Sequence, residues 1–216
     1  MNYDHREMMN ERTLVLIKPE TVQRGYIGEV ITIFERAGLK IVAAKFLIAT
    51  KKQLDGHFHG GDEWLRGIGR KTTEGCREDG LRVEDVMGTS DPLEIGRKIK
   101  EQLYHYLSSG PMMALVLEGI HAVKVVRKLT GHTIPAKAET GTIRAMYSIA
   151  SADLASVVGS PARNVIHASS SVDEAKIEIR HWFKDSEVIE WKKIDEDVLF
   201  TDGDYTKISD KKGNQP

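Results

Sequence analysis

One histidine, His167, lies where a side chain could act as a nucleophile. It ends a short apolar stretch, residues 164–168, and Ser171-x-x-Glu174 directly after it is the pattern of a helix capping box. An imidazole at such a junction can attack phosphorus through one ring nitrogen while the other nitrogen donates to a carboxylate. Glu178, on the predicted helix, could supply that carboxylate. Taken alone, however, a histidine here would more often be an ordinary core or surface residue.

Phosphate binding would have to rely on side chains, because both glycine-rich nucleotide motifs are absent. The sequence contains no GxxxxGK[ST], and the pair Gly67 and Gly69 lacks a third glycine and a preceding strand. Arg127, Thr133 and Arg144 lie around the start and middle of a long irregular stretch, 132–163. Guanidinium groups match phosphate oxygens in pairs, so these residues together could hold a phosphate. Singly, each reads as a surface residue.

Other candidate sites are weaker. His57-x-His59 would point two imidazoles to one side of an extended segment, but no third ligand is adjacent, and we predict no protein-bound metal. The only cysteine, Cys76, excludes an internal disulfide and favours a reducing, cytoplasmic location.

The overall composition excludes several classes of function. The chain has 216 residues, a mass of 24.2 kDa and a net charge of −1, so no broad basic surface is available for nucleic acid or anionic membranes. The longest apolar stretch, 112–117, is too short to span a bilayer, and residues 1–12 do not form a signal peptide. We expect a cytoplasmic protein that binds neither nucleic acid nor membranes.

The elements that must position these side chains alternate between strand and helix. Apolar stretches predict strands at 13–17, 40–50, 112–117 and 164–168. Helical spacing and end signals predict helices at 28–37, 92–110, 122–129 and after Ser171. This order predicts an α+β sandwich of split-βαβ type, with a ferredoxin-like four-stranded antiparallel sheet covered by helices. We expect one domain over residues 1–202, a partly helical insertion at about 59–108, and a disordered tail over 203–216.

Four strings resemble the signatures of the nucleoside diphosphate kinase family, in the family's order. They are RTLVLIKP (12–19), VQRG (22–25), GTIR (141–144) and NVIHAS (164–169), and the last is highly specific. The resemblance covers roughly residues 11–50 and 109–200. It implies an enzyme that transfers the γ-phosphate of ATP to nucleoside diphosphates by a ping-pong mechanism.

The resemblance also assigns roles to individual residues. It implies that His167 accepts the phosphoryl group, that Glu178 orients its ring and that Ser169 supports the carboxylate. The residues implied to bind the nucleotide, at its 3′-hydroxyl and its phosphates, are Lys18, Arg127, Thr133, Arg144 and Asn164. The family further implies a Mg²⁺ ion bridging phosphate oxygens, with few protein ligands, and a homo-oligomer, either hexamer or tetramer.

The chain departs from the family at several places. Family members usually have Asp where Ser170 stands, Gly-Asp where Ala145 and Met146 stand, and Tyr at the position of Phe58. The predicted insertion replaces a short family segment that lends an arginine to the phosphates and an aromatic ring to the base. We therefore predict that Arg66 or Arg70 replaces that arginine and that Trp64 replaces that ring.

Two other classes of function stay open. The departures at Ser170, Ala145 and Met146 would suit a nucleotide-binding regulatory protein of the same fold with weak or no transfer activity. An RNA-binding sheet would need exposed aromatic and basic residues on its central strands, but Phe46 is the only aromatic residue in the predicted strands.

Overall fold

The computed structural model describes residues 9–151, 154–155, 158, 161–194 and 196. The helices and strands of the described chain are β1 Asn10–Ile17, α1 Pro19–Gln23, α2 Ile27–Arg36, β2 Lys40–Leu47, α3 Lys51–His57, α4 Asp62–Glu78, α5 Val83–Met87, α6 Pro92–Leu107, β3 Met112–Ile120, α7 Ala122–Thr130, α8 Ile143–Tyr147, β4 Ile166–Ala168 and α9 Val172–Trp182. Within these residues, no helix is long and apolar enough to cross a membrane. The tail predicted to be disordered, 203–216, lies outside the described residues.

The four strands form one antiparallel sheet in the order β2-β3-β1-β4. This confirms the predicted ferredoxin-like sheet, in which β3 lies between the first two strands of the chain. Strand β1 is apolar at consecutive positions because it is central and buried on both faces. Leu14 and Leu16 face one side of the sheet, whereas Val15 and Ile17 face the other.

Helices cover both faces of the sheet. One core contains Leu54 of α3, Tyr106 and Leu107 of α6, and Trp182 at the end of α9. The opposite core is closed by α2, α7 and α8, which contribute Val30 and Phe34, Val126, and Ile143 respectively. The first of these faces, below α3, α6 and α9, also carries the candidate site.

Residues 51–91 are more helical than the sequence pattern indicates. Thr50 forms a capping box with Gln53 and begins α3, so the strand predicted over 40–50 ends at Leu47. Helices α4 and α5 then follow. Glycine has low helix propensity, and the six glycines in 56–75, four of them inside α3 and α4, therefore disguise this helical segment in the sequence.

Helices α4 and α6 approach each other so closely that only glycine fits at the points of contact. A Cβ atom on Gly69 would lie 1.9 Å from the carbonyl oxygen of Pro92, and one on Gly96 would lie 2.1 Å from that of Leu65. At the far end of α4, Lys137 Nζ lies 3.0 Å from carboxylate oxygens of both Glu78 and Asp79. Helix α4, the first helix of the insertion, is thus packed on α6 and linked to the loop that follows α7.

We predict that Gly69→Ala destabilises the protein and that Gly67→Ala does not. A methyl group on Gly69 must push α4 away from Pro92, and overpacking of this kind costs about 1–3 kcal/mol. Gly67, in the same helix, has open space at its Cβ position, where alanine gains about 0.5–1 kcal/mol of helix propensity. Midpoints of thermal unfolding compare the two variants, and equal midpoints would contradict the described packing.

Candidate active site

His167 reaches the site because it is the middle residue of a three-residue strand. Its neighbours Ile166 and Ala168 belong to the core under α2 and α7, so the side chain of His167 points to the opposite face, toward α9. There its Nε2 lies 2.8 Å from Glu178 Oε1. An ionised carboxylate only accepts, so Nε2 carries the proton and Nδ1 carries the lone pair. None of the described residues forms a hydrogen bond with Nδ1.

Glu178 is held from two sides. Ser171 caps the N-terminus of helix α9, and its side chain accepts from the Glu174 backbone N–H as predicted. This fixes the helix that carries Glu178. Ser169 Oγ donates to Glu178 Oε2 at 2.5 Å, while Oε1 accepts from His167. Burial is the largest single effect and would raise the pKa of Glu178, but the hydrogen bond and charge of His167, together with smaller effects that include the hydrogen bond from Ser169, lower the pKa below its ordinary value. The carboxylate therefore stays ionised at neutral pH.

A second histidine, His57, completes this cluster. Its ring lies edge-on to that of His167, with centroids 4.6 Å apart, and its Nδ1 lies 3.4 Å from Glu178 Oε1. Trp182 Nε1 donates to the same Nδ1 at 3.3 Å. Burial lowers the pKa of His57 to about 3, and His167 acts in the same direction, so His57 is neutral at physiological pH.

The position of His57 corrects one expectation. The sequence predicts that His57 and His59 lie on one side of an extended segment, but His57 ends α3, whereas His59 is exposed and its ring bonds to Gly56 O. Sequence spacing contains no signal for the contact between His57 and His167, because 110 residues separate them and only the sheet brings them together.

The backbone just before His167 adopts a strained conformation. Val165 has φ of 69°, and the Ile166 N–H donates to the Asn164 carbonyl at 2.7 Å, which closes a γ-turn. For a β-branched residue this conformation is rare and costs about 1–3 kcal/mol. It is the reason why β4 begins at Ile166 rather than at residue 164 as predicted.

Residues that follow β1 hold this turn in place. Glu20 Oε1 accepts from the Val165 N–H at 2.7 Å, and Glu20 is buried. The Val165 carbonyl accepts from the Lys18 N–H at 2.9 Å and from Thr21 Oγ1 at 2.8 Å. Both backbone polar groups of Val165 are therefore bonded to the segment 18–21. The role of Glu20 could not be predicted from the sequence, because it depends on the backbone conformation of Val165.

Lys18 and Asn164, both predicted nucleotide ligands, lie in direct contact. Lys18 Nζ donates to Asn164 Oδ1 at 2.5 Å and lies 5.3 Å from the centre of the Tyr106 ring, while Asn164 Nδ2 donates to the Thr133 carbonyl at 3.0 Å. Burial lowers the pKa of Lys18 to about 8, Glu20 opposes this shift, and Arg144 adds to it. The buried ammonium thus depends on Glu20 for part of its charge.

Arg127 and Arg144, the two arginines predicted to bind phosphate, also lie near each other. Arg144 is buried and donates to three backbone carbonyls, those of Asn164, Gly131 and Ile166, at 2.8–3.1 Å. A guanidinium has five N–H groups, so two remain for a ligand. Burial lowers the pKa of Arg144 to about 10, and repulsion from the exposed Arg127 acts in the same direction. Arg144 therefore supports the His167 strand and can still face an anion.

The residues predicted to replace the family's arginine and aromatic ring make contacts within the insertion and beside it. Arg70 pairs with Glu63 at 2.6 Å, and Arg66 lies 3.6 Å from an oxygen of Asp91. These pairs within the insertion do not favour either arginine as a phosphate ligand. Trp64 packs 6.0 Å from the ring of Phe58, which in turn contacts His57. All three assignments stay predictions.

The fold and the site together define a class of protein. The site contains a histidine with a lone pair on its outer nitrogen, a carboxylate behind the ring and buried cations nearby, all carried by a split-βαβ sheet. These groups suit an enzyme that transfers phosphoryl groups. Comparison with known proteins narrows this class. The family model described as nucleoside diphosphate kinase matches residues 11–63 and 94–188, and its gap lies inside the range predicted for the insertion.

Individual relatives support the same family. The nucleoside diphosphate kinase of Pyrobaculum aerophilum is 47% identical over 180 residues, which cover 83% of this chain and 98% of the relative. A crystal structure of an NDP kinase from that organism superposes with a TM-score of 0.80 at 45% identity, covering 84% of this chain and 100% of that one. The Borrelia burgdorferi enzyme, solved as a transition-state mimic with bound vanadate and ADP, matches with a TM-score of 0.69 at 34% identity, covering 88% and 97% of the two chains.

The chain belongs to the nucleoside diphosphate kinase family. It is an enzyme that transfers the terminal phosphoryl group of a nucleoside triphosphate to a nucleoside diphosphate, and nucleotides are its substrates.

We predict that Glu20→Gln shifts the pH dependence of catalysis without unfolding the protein. Glutamine can still accept from the Val165 N–H, but it no longer raises the pKa of Lys18. An ammonium is charged only below its pKa. As pH rises, activity should therefore begin to decline at a lower pH in the variant than in the unmodified protein. If the pKa of Lys18 fell by one unit from about 8, the fraction of Lys18 that is charged at pH 8 would drop roughly fivefold.

The measurement is kcat/KM between pH 6 and 9, with Glu35→Gln on the exposed face of α2 as the matched control. An unchanged profile for Glu20→Gln would show that its charge does not act on Lys18.

Proposed function

We propose that the exchange proceeds by a ping-pong mechanism in which Nδ1 of His167 carries the phosphoryl group. The observation that carries this proposal is the bond between His167 Nε2 and Glu178, because it leaves the lone pair on the other nitrogen. Glu178 is ionised and buried beside the ring, so it also balances the positive charge that develops on the imidazole as it attacks.

In each half of the proposed catalytic cycle, one bond to phosphorus forms and another breaks. In the first half, the Nδ1 lone pair of His167 attacks the γ-phosphorus, an N–P bond forms, and the bond from that phosphorus to the bridging oxygen breaks. The nucleoside diphosphate leaves with the electron pair. In the second half, a terminal oxygen of another diphosphate attacks the same phosphorus, and the N–P pair returns to Nδ1.

The surrounding cations supply most of the remaining stabilisation. Phosphoryl transfer depends mainly on in-line positioning and on positive charge around the equatorial oxygens. We assign Lys18 and Asn164 to the 3′-hydroxyl and the phosphates, and Arg127, Thr133 and Arg144 to the β- and γ-phosphates. The mutual bonds of Lys18, Asn164 and Arg144 support this assignment because they fix these groups before a nucleotide binds.

Mg²⁺ fits the site as an ion that arrives with the nucleotide. The groups assigned to the phosphates are cations and neutral donors, which do not attract a divalent cation by themselves. The phosphate oxygens would hold Mg²⁺, and the ion would neutralise charge on the β- and γ-phosphates. We extend to this chain the use of ADP, which the Borrelia burgdorferi relative binds, and of ATP as donor.

We further propose that the chain forms a homo-oligomer, a hexamer or a tetramer, and acts in the cytoplasm. Strand β2 lies at the edge of the sheet, and Phe46 and Ile48 beside that edge are 60% and 61% exposed. Large apolar side chains next to an edge strand favour contact with a second copy of the chain.

We predict that γ-labelled ATP labels the protein at His167. With Mg²⁺, the label should be acid-labile and base-stable, and GDP should discharge it as labelled GTP. His167→Ala should abolish labelling, whereas His59→Ala should retain it, because His59 is exposed and bonds only to Gly56 among its described contacts.

Label that persists in His167→Ala would place the phosphoryl group elsewhere. Nucleotide binding by folded protein without any label would favour the regulatory alternative that Ser170, Ala145 and Met146 suggest.

We predict that light scattering after size-exclusion chromatography gives four or six times the 24.2 kDa chain mass. Phe46→Asp should reduce this mass by placing a charge at the contact, while Lys52→Asp on the exposed side of α3 should not. A 24.2 kDa species for the unmodified protein at micromolar concentration would contradict the proposal.

A further inference from the structure

We propose that His57, His167 and Glu178 form a binding site for a borderline transition-metal cation such as Zn²⁺, and that this cation inhibits phosphoryl transfer. The proposal goes beyond the proposed function, and its inhibitory part rests on the role of His167 given there. Mg²⁺ is not the ion in question, because it prefers six oxygen ligands and stays with the phosphates.

The three side chains offer a suitable set of donor atoms. One ligand atom from each, two imidazole nitrogens and a carboxylate oxygen, lies within 4.8 Å of the others. Two imidazoles and a glutamate are a known combination for Zn²⁺, with a fourth position left for water. Among the described residues, no other group of three such side chains converges in this way.

The separations are close to those that Zn²⁺ needs. Glu178 Oε1 lies 2.8 Å from His167 Nε2 and 3.4 Å from His57 Nδ1. Bonds of about 2.0–2.2 Å to a tetrahedral ion place neighbouring ligand atoms about 3.3–3.5 Å apart. Small movements of the side chains would therefore admit the ion.

The contact between His57 Nδ1 and Glu178 Oε1 has no proton to bridge it. Trp182 Nε1 can only donate, so its bond at 3.3 Å identifies His57 Nδ1 as an acceptor with a lone pair. Glu178 Oε1 is also an acceptor, and it faces that lone pair at 3.4 Å. A cation between the two atoms would take the place of the long Trp182 hydrogen bond at Nδ1 and would turn this repulsive contact into two coordinate bonds.

The supporting contacts fit a metal site. Glu178 Oε2 accepts from Ser169, so the carboxylate is oriented by a hydrogen bond to the oxygen that does not face the imidazoles. His57 and Glu178 are almost fully buried, while the side chain of His167 is 25% exposed, so an ion can enter along the face used by the nucleotide.

Inhibition follows from the position of one proton. A metal on Nε2 of His167 displaces the proton that this nitrogen donates to Glu178, and the neutral imidazole then carries its proton on Nδ1. That nitrogen no longer has a lone pair to attack phosphorus. Conversely, a phosphoryl group on Nδ1 leaves the proton on Nε2, so phosphorylation and metal binding exclude each other.

The test uses the full chain with Co²⁺ as a spectroscopic probe and Zn²⁺ as its competitor. We expect one Co²⁺ per chain, with the strong visible absorption of a tetrahedral complex, displaced by Zn²⁺. His57→Gln should weaken Zn²⁺ binding at least tenfold, since glutamine can still accept from Trp182 but is a poor zinc ligand. His59→Gln, two residues away and outside the cluster, should bind as the unmodified protein does.

Thermal unfolding gives a second measurement that does not depend on activity. Zn²⁺ should raise the unfolding midpoint of the unmodified protein and of His59→Gln, but not that of folded His57→Gln. Zn²⁺ added at constant MgATP should inhibit exchange, and the concentration for half-inhibition should rise at least tenfold in His57→Gln, relative to that variant's own uninhibited rate.

The outcomes separate this proposal from the proposed function. Absence of Co²⁺ binding, or equal Zn²⁺ affinity in His57→Gln and the unmodified protein, would overturn the metal site and leave the phosphohistidine mechanism intact. Metal binding that is unaffected by prior labelling with ATP would retain the site but contradict the role of His167 and the proposed inhibition.

Discussion

The hydrogen bond between His167 and Glu178 is the interaction on which the site depends. It fixes the tautomer of the imidazole, and thereby decides which nitrogen is chemically available. The bond forms only because β4 is short and pairs with β1 in a register that points His167 toward α9. A shift of one residue would turn the ring into the opposite core.

The register in turn depends on the strained peptide at Val165. Without other contacts this conformation would relax, since positive φ is unfavourable for a β-branched residue. Lys18, Glu20 and Thr21 hold it by hydrogen bonds on both sides of the residue. The short segment after β1 therefore does two tasks, since it presents the Lys18 ammonium and secures the turn that aims the histidine.

Much of this could be predicted from the sequence, and the exceptions have physical causes. The strands, the antiparallel sheet and the family follow from apolar patterns and from motifs that are continuous in the chain, and the structure and comparisons confirm them. His167 and Glu178 could be predicted because they lie only eleven residues apart around a capped helix, and Ser169 was implied by the family motif; the structure brings all three into contact. The roles predicted for them in catalysis stay predictions.

What the sequence could not indicate are the contacts between distant segments. His57 joins His167 only through folding, and the carboxylate of Glu20 gains its importance from a backbone angle that no residue type encodes. The helices of residues 51–91 were obscured for a different reason. Their glycines lower local helix propensity, and the gain that outweighs this cost is the close packing of α4 on α6, which is a tertiary effect.

That packing has a consequence for how the chain folds. The contacts at Gly69 and Gly96 join residues only about two to three dozen positions apart, so closing them costs little loop entropy and needs no strand of the sheet. Helical hairpins with such local contacts form quickly compared with sheets. We therefore expect the extra segment to form early, and the slow step of folding to be the pairing of β1 with β3 and β4.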